Sequence, residues 1–418
     1  MHPRSGPSTF APMGAVRDFA ERMWKGSEEH SFTSLHGLEE YRPGLAFVSS
    51  FANVVALDTA DGLVLIDTSS PLTAGAVHAA VRGFSARALH TVIYTHGHID
   101  HVMGTALFEG EGRARVVAHE AVAARFDRYK RTAGYNGVIN GRQFGAPGFA
   151  WPTEYRYPDE TYRTELSLQI GDEALVLHHA RGETDDHTWI HLPGRSTICT
   201  GDLFIWASPN CGNPQKVQRF PREWAAALRA MDALGAELLL PGHGPPIDGA
   251  DRVHEALTQS AELLEILHDE TLRWMNEGAP LDVILREVRA PEHLLARPYL
   301  RPVYDEPEFI VRNVFRLYGG WWDGNPAHLK PARDDRIAEE VARLAGGAGK
   351  LSERASELSA AGEHALACHL AEWASRAARD DAAVRTARAE VYRKRAEVET
   401  SLMAKNLYRS AARDDDKG

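Results

Sequence analysis

The segment that most constrains this chain is VIYTHGHIDHVMG, residues 92–104. It sets His96, His98, Asp100 and His101 within six positions, directly after the apolar run LHTVIY. That run is β-branched and apolar, and reads as a buried strand ending near Tyr94. VMGTALF then takes up helical spacing, so the segment is a strand, a loop and a helix start. Alternation along the loop points His96 and His98 the same way, while Asp100 and His101 face a second point at the turn into the helix. Imidazole nitrogen and carboxylate oxygen are donors favoured by zinc and similar divalent ions. Four such groups at this spacing suit two adjacent metals better than one.

The chain has 418 residues, which is too many for one ordinary core. A hydrophobic content of 44% and a charged content of 25% describe a soluble globular protein. The net charge of -11 argues against a nucleic-acid partner, because phosphate neutralisation needs a basic surface. The three cysteines, Cys199, Cys211 and Cys368, form no C-x-x-C pair and hence no thiolate cluster or disulfide framework. The opening MHPRSGPSTFAPMG has no apolar signal core, and no run reaches membrane-spanning length. The expectation is a cytoplasmic protein with no membrane partner.

Three regions are expected. Residues 1–40 read as an irregular, polar N-terminal extension. Residues 41–250 are strand-rich, with hairpin turns at Asp61-Gly62, Gly171-Asp172 and Pro193-Gly194. Within them, residues 126–165 are rich in Gly, Asn and aromatics without a period, and read as a long functional loop. Residues 251–418 carry helical spacing and become rich in Ala, Glu and Arg, as in an antiparallel helical array.

Two metals need about seven protein ligands. The missing ones are expected where other strands end. ARGETDDHT offers Glu183, Asp185, Asp186 and His187; TGDLF offers Asp202; LPGHGPP offers His243.

This order of motifs resembles the metallo-β-lactamase superfamily: H-x-H-x-D-H, a G-[HE]-T element, G-D, and P-G-H. The resemblance implies an α/β fold, an αββα sandwich, over residues 41–250. It places His96, His98 and Glu183 on one metal and Asp100, His101 and His243 on a second, with Asp202 bridging. Asp67, at the end of an early strand, takes the acidic position behind the histidine loop. Glu183 stands where the superfamily usually has histidine, in register with it, and His187 is the rival ligand. A carboxylate there marks the alkyl sulfatase branch, although that branch usually reads G-T-E and often bridges with a second glutamate. The helical half, with GWWDGNPAHL, resembles the alkyl sulfatase dimerisation domain, which implies a homodimer. Longer members end in a sterol-carrier-like domain for which this chain leaves no room, so small or medium substrates are expected.

The implied activity is that of a dinuclear zinc hydrolase cleaving sulfate monoesters with a metal-activated hydroxide. Asp100 and Asp202 are the candidate catalytic carboxylates. Iron or manganese is an alternative metal. Other enzyme readings are a lactone, thioester or phosphodiester hydrolase and an iron-dependent oxidoreductase; the remaining reading is a non-catalytic member. Glutamate in place of histidine removes one positive charge from the centre, so donors outside the ligands are expected to help hold a small anionic ester. Candidates are Tyr135, Arg142, Gln143, Asn210, Asn213, Lys216 and Arg219. Tyr135, Phe144, Phe149, Trp151 and Trp206 are candidate walls of an apolar channel, Trp206 reading more naturally as core.

Overall fold

The computed structural model describes residues 11–26, 35–110 and 112–416. Two sheets form the first part of the chain. Sheet one holds β1 (Gly37–Arg42), β2 (Leu45–Ser49), β3 (Val54–Thr59), β4 (Gly62–Ile66), β5 (Leu89–Ile93), β6 (Arg115–His119) and β7 (Glu160–Tyr162), in that spatial order. Its first four strands are antiparallel, and β5, β6 and β7 add in parallel. Sheet two holds β8 (Glu165–Ile170), β9 (Glu173–His179), β10 (Thr188–Leu192), β11 (Thr197–Ile205), β12 (Leu238–His243) and β13 (Ile247–Asp248). Only β11 and β12 pair in parallel there.

The period of two along each strand builds three layers of core. On β4, Val64 and Ile66 face inward with Phe47, Leu57 and Ile93, and meet Leu175, Leu177, Ile190 and Leu240 of sheet two. The intervening Leu63 and Leu65 face outward, onto Val77, Val81 and Phe108 of the covering helices. Behind sheet two, Trp189, Ile198 and Leu239 pack against Trp224 and Leu228 of the helix Pro221–Asp232 and Leu257 and Leu264 of the helix Ala250–Asn276. The result is the expected αββα sandwich, followed by helices.

Two expectations change. Part of the N-terminal stretch is a helix, Ala15–Trp24, because Val16, Phe19 and Met23 recur at helical spacing and are buried. Trp24 stacks on Tyr299 with ring centroids 5.5 Å apart. Residues 1–10 and 27–34 of that stretch lie outside the described residues. The expected long loop begins as two helices, Ala121–Arg131 and Ala133–Gln143. Two of its glycines serve close approach: a Cβ on Gly137 would stand 2.7 Å from the Phe149 carbonyl oxygen, and one on Gly141 would stand 3.0 Å from that of Ala146. Asn136 and Asn140 bond back to the carbonyls of Thr132 and Asn136, four residues earlier.

The helix Ala250–Asn276 shares the core behind sheet two rather than standing apart from it. Helices Asp334–Ala345, Ala348–Ala360, His364–Ala377, Ala382–Val398 and Leu402–Asp416 pack in succession around small clusters such as Ala355, Leu358, Ala367 and Val391. The last helix returns to the strand-rich part, where Asn406 Nδ2 donates to the Gln143 carbonyl at 2.8 Å. Among the described residues, no helix is long and apolar enough to cross a membrane. The three cysteines are free thiols.

Candidate metal centre

The seven expected ligands converge where the two sheets open at one end. His96 and His98 lie in the loop after β5; Asp100 and His101 lie in the short helix Ile99–Val102. Asp202 lies within β11, His243 ends β12, and Glu183 lies between β9 and β10. They form two groups, His96, His98, Glu183 and Asp202, and Asp100, His101 and His243. Within each group the ligand atoms all lie within 4.8 Å of one another. Glu183 Oε2 is 3.9 Å from His96 Nε2 and 3.8 Å from His98 Nδ1. Asp202 joins the groups, with Oδ2 3.9 Å from His96 Nε2 and 3.3 Å from His243 Nε2, and Oδ1 3.3 Å from His101 Nε2. Asp100 Oδ2 is 3.5 Å from His243 Nε2.

The other nitrogen of His96, His101 and His243 is tied down, which selects the tautomer. His101 Nδ1 donates to Asp67 Oδ2 at 2.7 Å. The same carboxylate accepts from the Thr95 amide at 2.8 Å and the Thr95 hydroxyl at 2.7 Å. That hydroxyl accepts from His96 Nδ1 at 3.0 Å, and the Phe51 carbonyl accepts from His243 Nδ1. His187 is not in either group. It stacks on His96 with centroids 4.6 Å apart, and its Nε2 donates to the Thr200 carbonyl at 3.2 Å.

The donor set fits divalent metals. It is all imidazole nitrogen and carboxylate oxygen, and His101 Nε2, Glu183 Oε2 and Asp202 Oδ1 are buried without a hydrogen-bond partner. Without a metal the charges are mutually compensated. Burial works against charge on both His101 and His243, but Asp202, Asp67 and Asp100 outweigh it at His101, and Asp202 and Asp100 raise His243 to about 10. Burial lowers His96 and His98 well below the usual imidazole range, leaving them neutral.

The backbone is closed tightly around these groups. A Cβ on Gly242 would lie 2.0 Å from Asp202 Oδ1. The Gly97 amide donates to Asp186 Oδ2 at 3.0 Å, and Asp186 pairs with Arg125 Nε at 2.7 Å, both side chains being buried. Asn53 Nδ2 donates to the carbonyls of Pro241 and Gly244, at 3.0 and 2.8 Å, which clamps the loop carrying His243. Arg125 and Asn53 sit outside any motif, and sequence reasoning missed both.

The candidate substrate contacts take several positions. Asn210 Nδ2 and Arg219 Nη1 both donate to Glu183 Oε1, the latter at 2.7 Å. Gln143 is buried; it accepts from Asn213 Nδ2 at 3.1 Å and donates to the Tyr304 hydroxyl at 2.6 Å. Lys216 Nζ donates to Asn140 Oδ1 at 2.9 Å. Tyr135 and Arg142 are exposed. Trp206 is core, its indole donating to the Pro245 carbonyl at 2.7 Å. Phe144 sits edge-on to Phe51, and Phe51 to His243, with centroids 6.2 and 5.3 Å apart. Phe149 and Trp151 also meet edge to face, at 6.3 Å. Tyr304, also missed, stacks near Phe144 and brings the helical half to this wall.

Residues 49–243 match the Metallo-beta-lactamase superfamily, so this part of the chain is a metallo-beta-lactamase domain. Residues 281–418 match the Alkyl sulfatase dimerisation family, so the helical end of the chain is an alkyl sulfatase dimerisation domain. Among curated proteins it is 26% identical to a linear primary-alkylsulfatase of Pseudomonas sp., over 85% of this chain and 72% of that protein. It is 27% identical to an (R)-specific secondary-alkylsulfatase of Pseudomonas sp., over 75% of this chain and only 53% of that protein. The solved structure of the stereoselective inverting sec-alkylsulfatase Pisa1 from Pseudomonas sp. shares the fold, with a TM-score of 0.83 at 23% identity. That match covers 91% of this chain and 66% of the other.

Proposed function

We propose that the chain is a dinuclear zinc hydrolase of sulfate monoesters, acting as a homodimer. The observation that carries the reading is the pair of adjoining ligand groups sharing Asp202, with buried acceptor atoms left over for metal. The similarity to alkylsulfatases supports sulfate as the leaving acid. When bound, two zinc ions supply Lewis acidity and an activated water at neutral pH.

The chain's own residues then do the positioning. Asp67, Thr95 and the Phe51 carbonyl fix which nitrogen His101, His96 and His243 present. Asp100 lies on the open side of the centre, its side chain 22% exposed where Asp202 is 7%, and is the carboxylate placed to take the proton of the attacking water. Phe51, Phe144 and Tyr304 form the apolar wall beside His243 against which the ester's organic group packs. The dimer forms through residues 281–418, which expose Trp321 (70%), Leu344 (75%) and Leu366 (50%). The test is metal analysis of purified protein with a sulfate-release assay. Two metals per chain and sulfate release support the reading; an active protein with only trace metal contradicts it.

A further inference from the structure

We infer that Arg219 is the built-in counter-charge of Glu183, so that the two side chains act on the metal centre as one unit equivalent to a single neutral ligand. The inference rests on the two-metal reading above and concerns how strongly that centre holds its ions.

The carboxylate of Glu183 is divided in use. Oε1 accepts from Arg219 Nη1 at 2.7 Å and from Asn210 Nδ2. Oε2 has no hydrogen-bond partner and faces His96 and His98. One oxygen therefore meets a cation of the protein, and the other is presented to the metal group. Both residues are 3% exposed, so solvent does little to screen the pair.

The charge arithmetic gives the pairing its meaning. Asp100, Glu183 and Asp202 bring three negative charges to the seven ligands, and Arg219 cancels one. Two remain, as they would if residue 183 were a neutral imidazole and Arg219 were absent. The loss of positive charge expected from the glutamate is thus made good inside the protein.

Arg219 is also delivered in place. Its amide donates to Asn313 Oδ1 at 3.3 Å, and Asn313 Nδ2 donates to its carbonyl at 3.0 Å. Nη1 donates again to the Asn210 carbonyl. Asp305 Oδ2 holds the intervening loop by the amides of Gly212 and Asn213, at 2.6 and 3.1 Å. The helix Pro307–Gly319, with the aspartate just before it, fixes the guanidinium before any metal arrives.

Each half of the unit is harmful alone. Without Arg219, Glu183 is a buried carboxylate beside Asp202 with no cation of the protein against its Oε1. With a neutral residue at 183, Arg219 is an uncompensated buried cation next to the ions. The experiment is a double-mutant cycle of Glu183→His, Arg219→Met and both together. Zinc affinity is measured by chelator competition, and thermal denaturation of the metal-free proteins is followed in parallel. Each single change is expected to weaken the more labile zinc on the order of 100-fold. The double variant is expected to recover about tenfold or more over Glu183→His. Simple multiplication of the two losses, with no recovery, overturns the inference while leaving the metal centre standing. A wild-type chain that takes up no zinc overturns the metal reading and the inference with it. If Glu183→His does not fold, the same cycle with Glu183→Gln and Arg219→Gln is read in the same way.

Discussion

His101 donates from Nδ1 to Asp67 Oδ2 at 2.7 Å, and both side chains are buried, 0% and 2% exposed. The bond commits His101 Nε2 to the metal side. The same carboxylate takes the Thr95 amide and hydroxyl, so Asp67 also shapes the start of the histidine loop. Asp67→Asn is expected to weaken zinc binding by about 10–100-fold while the protein still folds. Chelator competition checks it; unchanged affinity would show that the loop orients itself.

Metal removal should cost stability. Removal leaves Asp100 and Asp202 to be offset only by His101 and His243, which those carboxylates raise, a partial substitute for two cations. Zinc at a thousandfold excess over its Kd is expected to stabilise the fold by about 4 kcal/mol. Denaturation with and without a chelator measures this, and readdition of zinc should restore the loss.

The two candidates for the third ligand of the first metal separate cleanly. Glu183 Oε2 faces His96 and His98, whereas His187 donates to the Thr200 carbonyl behind them. Glu183→Gln is expected to leave one metal per chain under mild chelation. His187→Ala is expected to keep both, at a stability cost of about 1–3 kcal/mol for the orphaned carbonyl. Metal analysis showing the reverse would exchange the two roles.

Arg125 and Asp186 form a buried pair that also receives the Gly97 amide, between the first two histidines. Arg125→Met leaves Asp186 charged and unpaired. The expected cost is about 3–5 kcal/mol by urea denaturation of the zinc-loaded protein. A loss below about 1 kcal/mol would mean that water reaches the pair.

Much of this centre was legible because every ligand but Asp202, which lies inside β11 rather than at the strand end expected for it, sits in a short segment at or beside a strand end. THGHIDH, TGDLF and PGHG announce themselves by residue type and by the apolar runs before them. What supports the ligands was not legible. Asn53 meets Pro241, and Tyr304 meets Gln143, only after the chain has folded across well over a hundred residues. Asn210 and Arg219 read as donors to a substrate anion; the fold turns both onto Glu183, a pairing that no spacing rule contains. The helix Ala133–Gln143 was hidden by its glycines, of which Gly137 and Gly141 answer close backbone approach rather than a loop's freedom. The helix Ala15–Trp24 was hidden by its polar surroundings, since only three of its ten residues are buried.

The central claim is that a two-zinc centre in this fold cleaves sulfate monoesters. The direct measurement is kcat/KM for sulfate release from a series of n-alkyl and aryl sulfates by the zinc-loaded protein, run beside lactone, thioester and phosphodiester panels. Each methylene buried against Phe51, Phe144 and Tyr304 is worth about 0.8 kcal/mol. The predicted result is sulfate release that rises with chain length until that short wall is filled, then levels, and that disappears on chelation. Turnover confined to another panel, with no sulfate released from any ester, would contradict the claim.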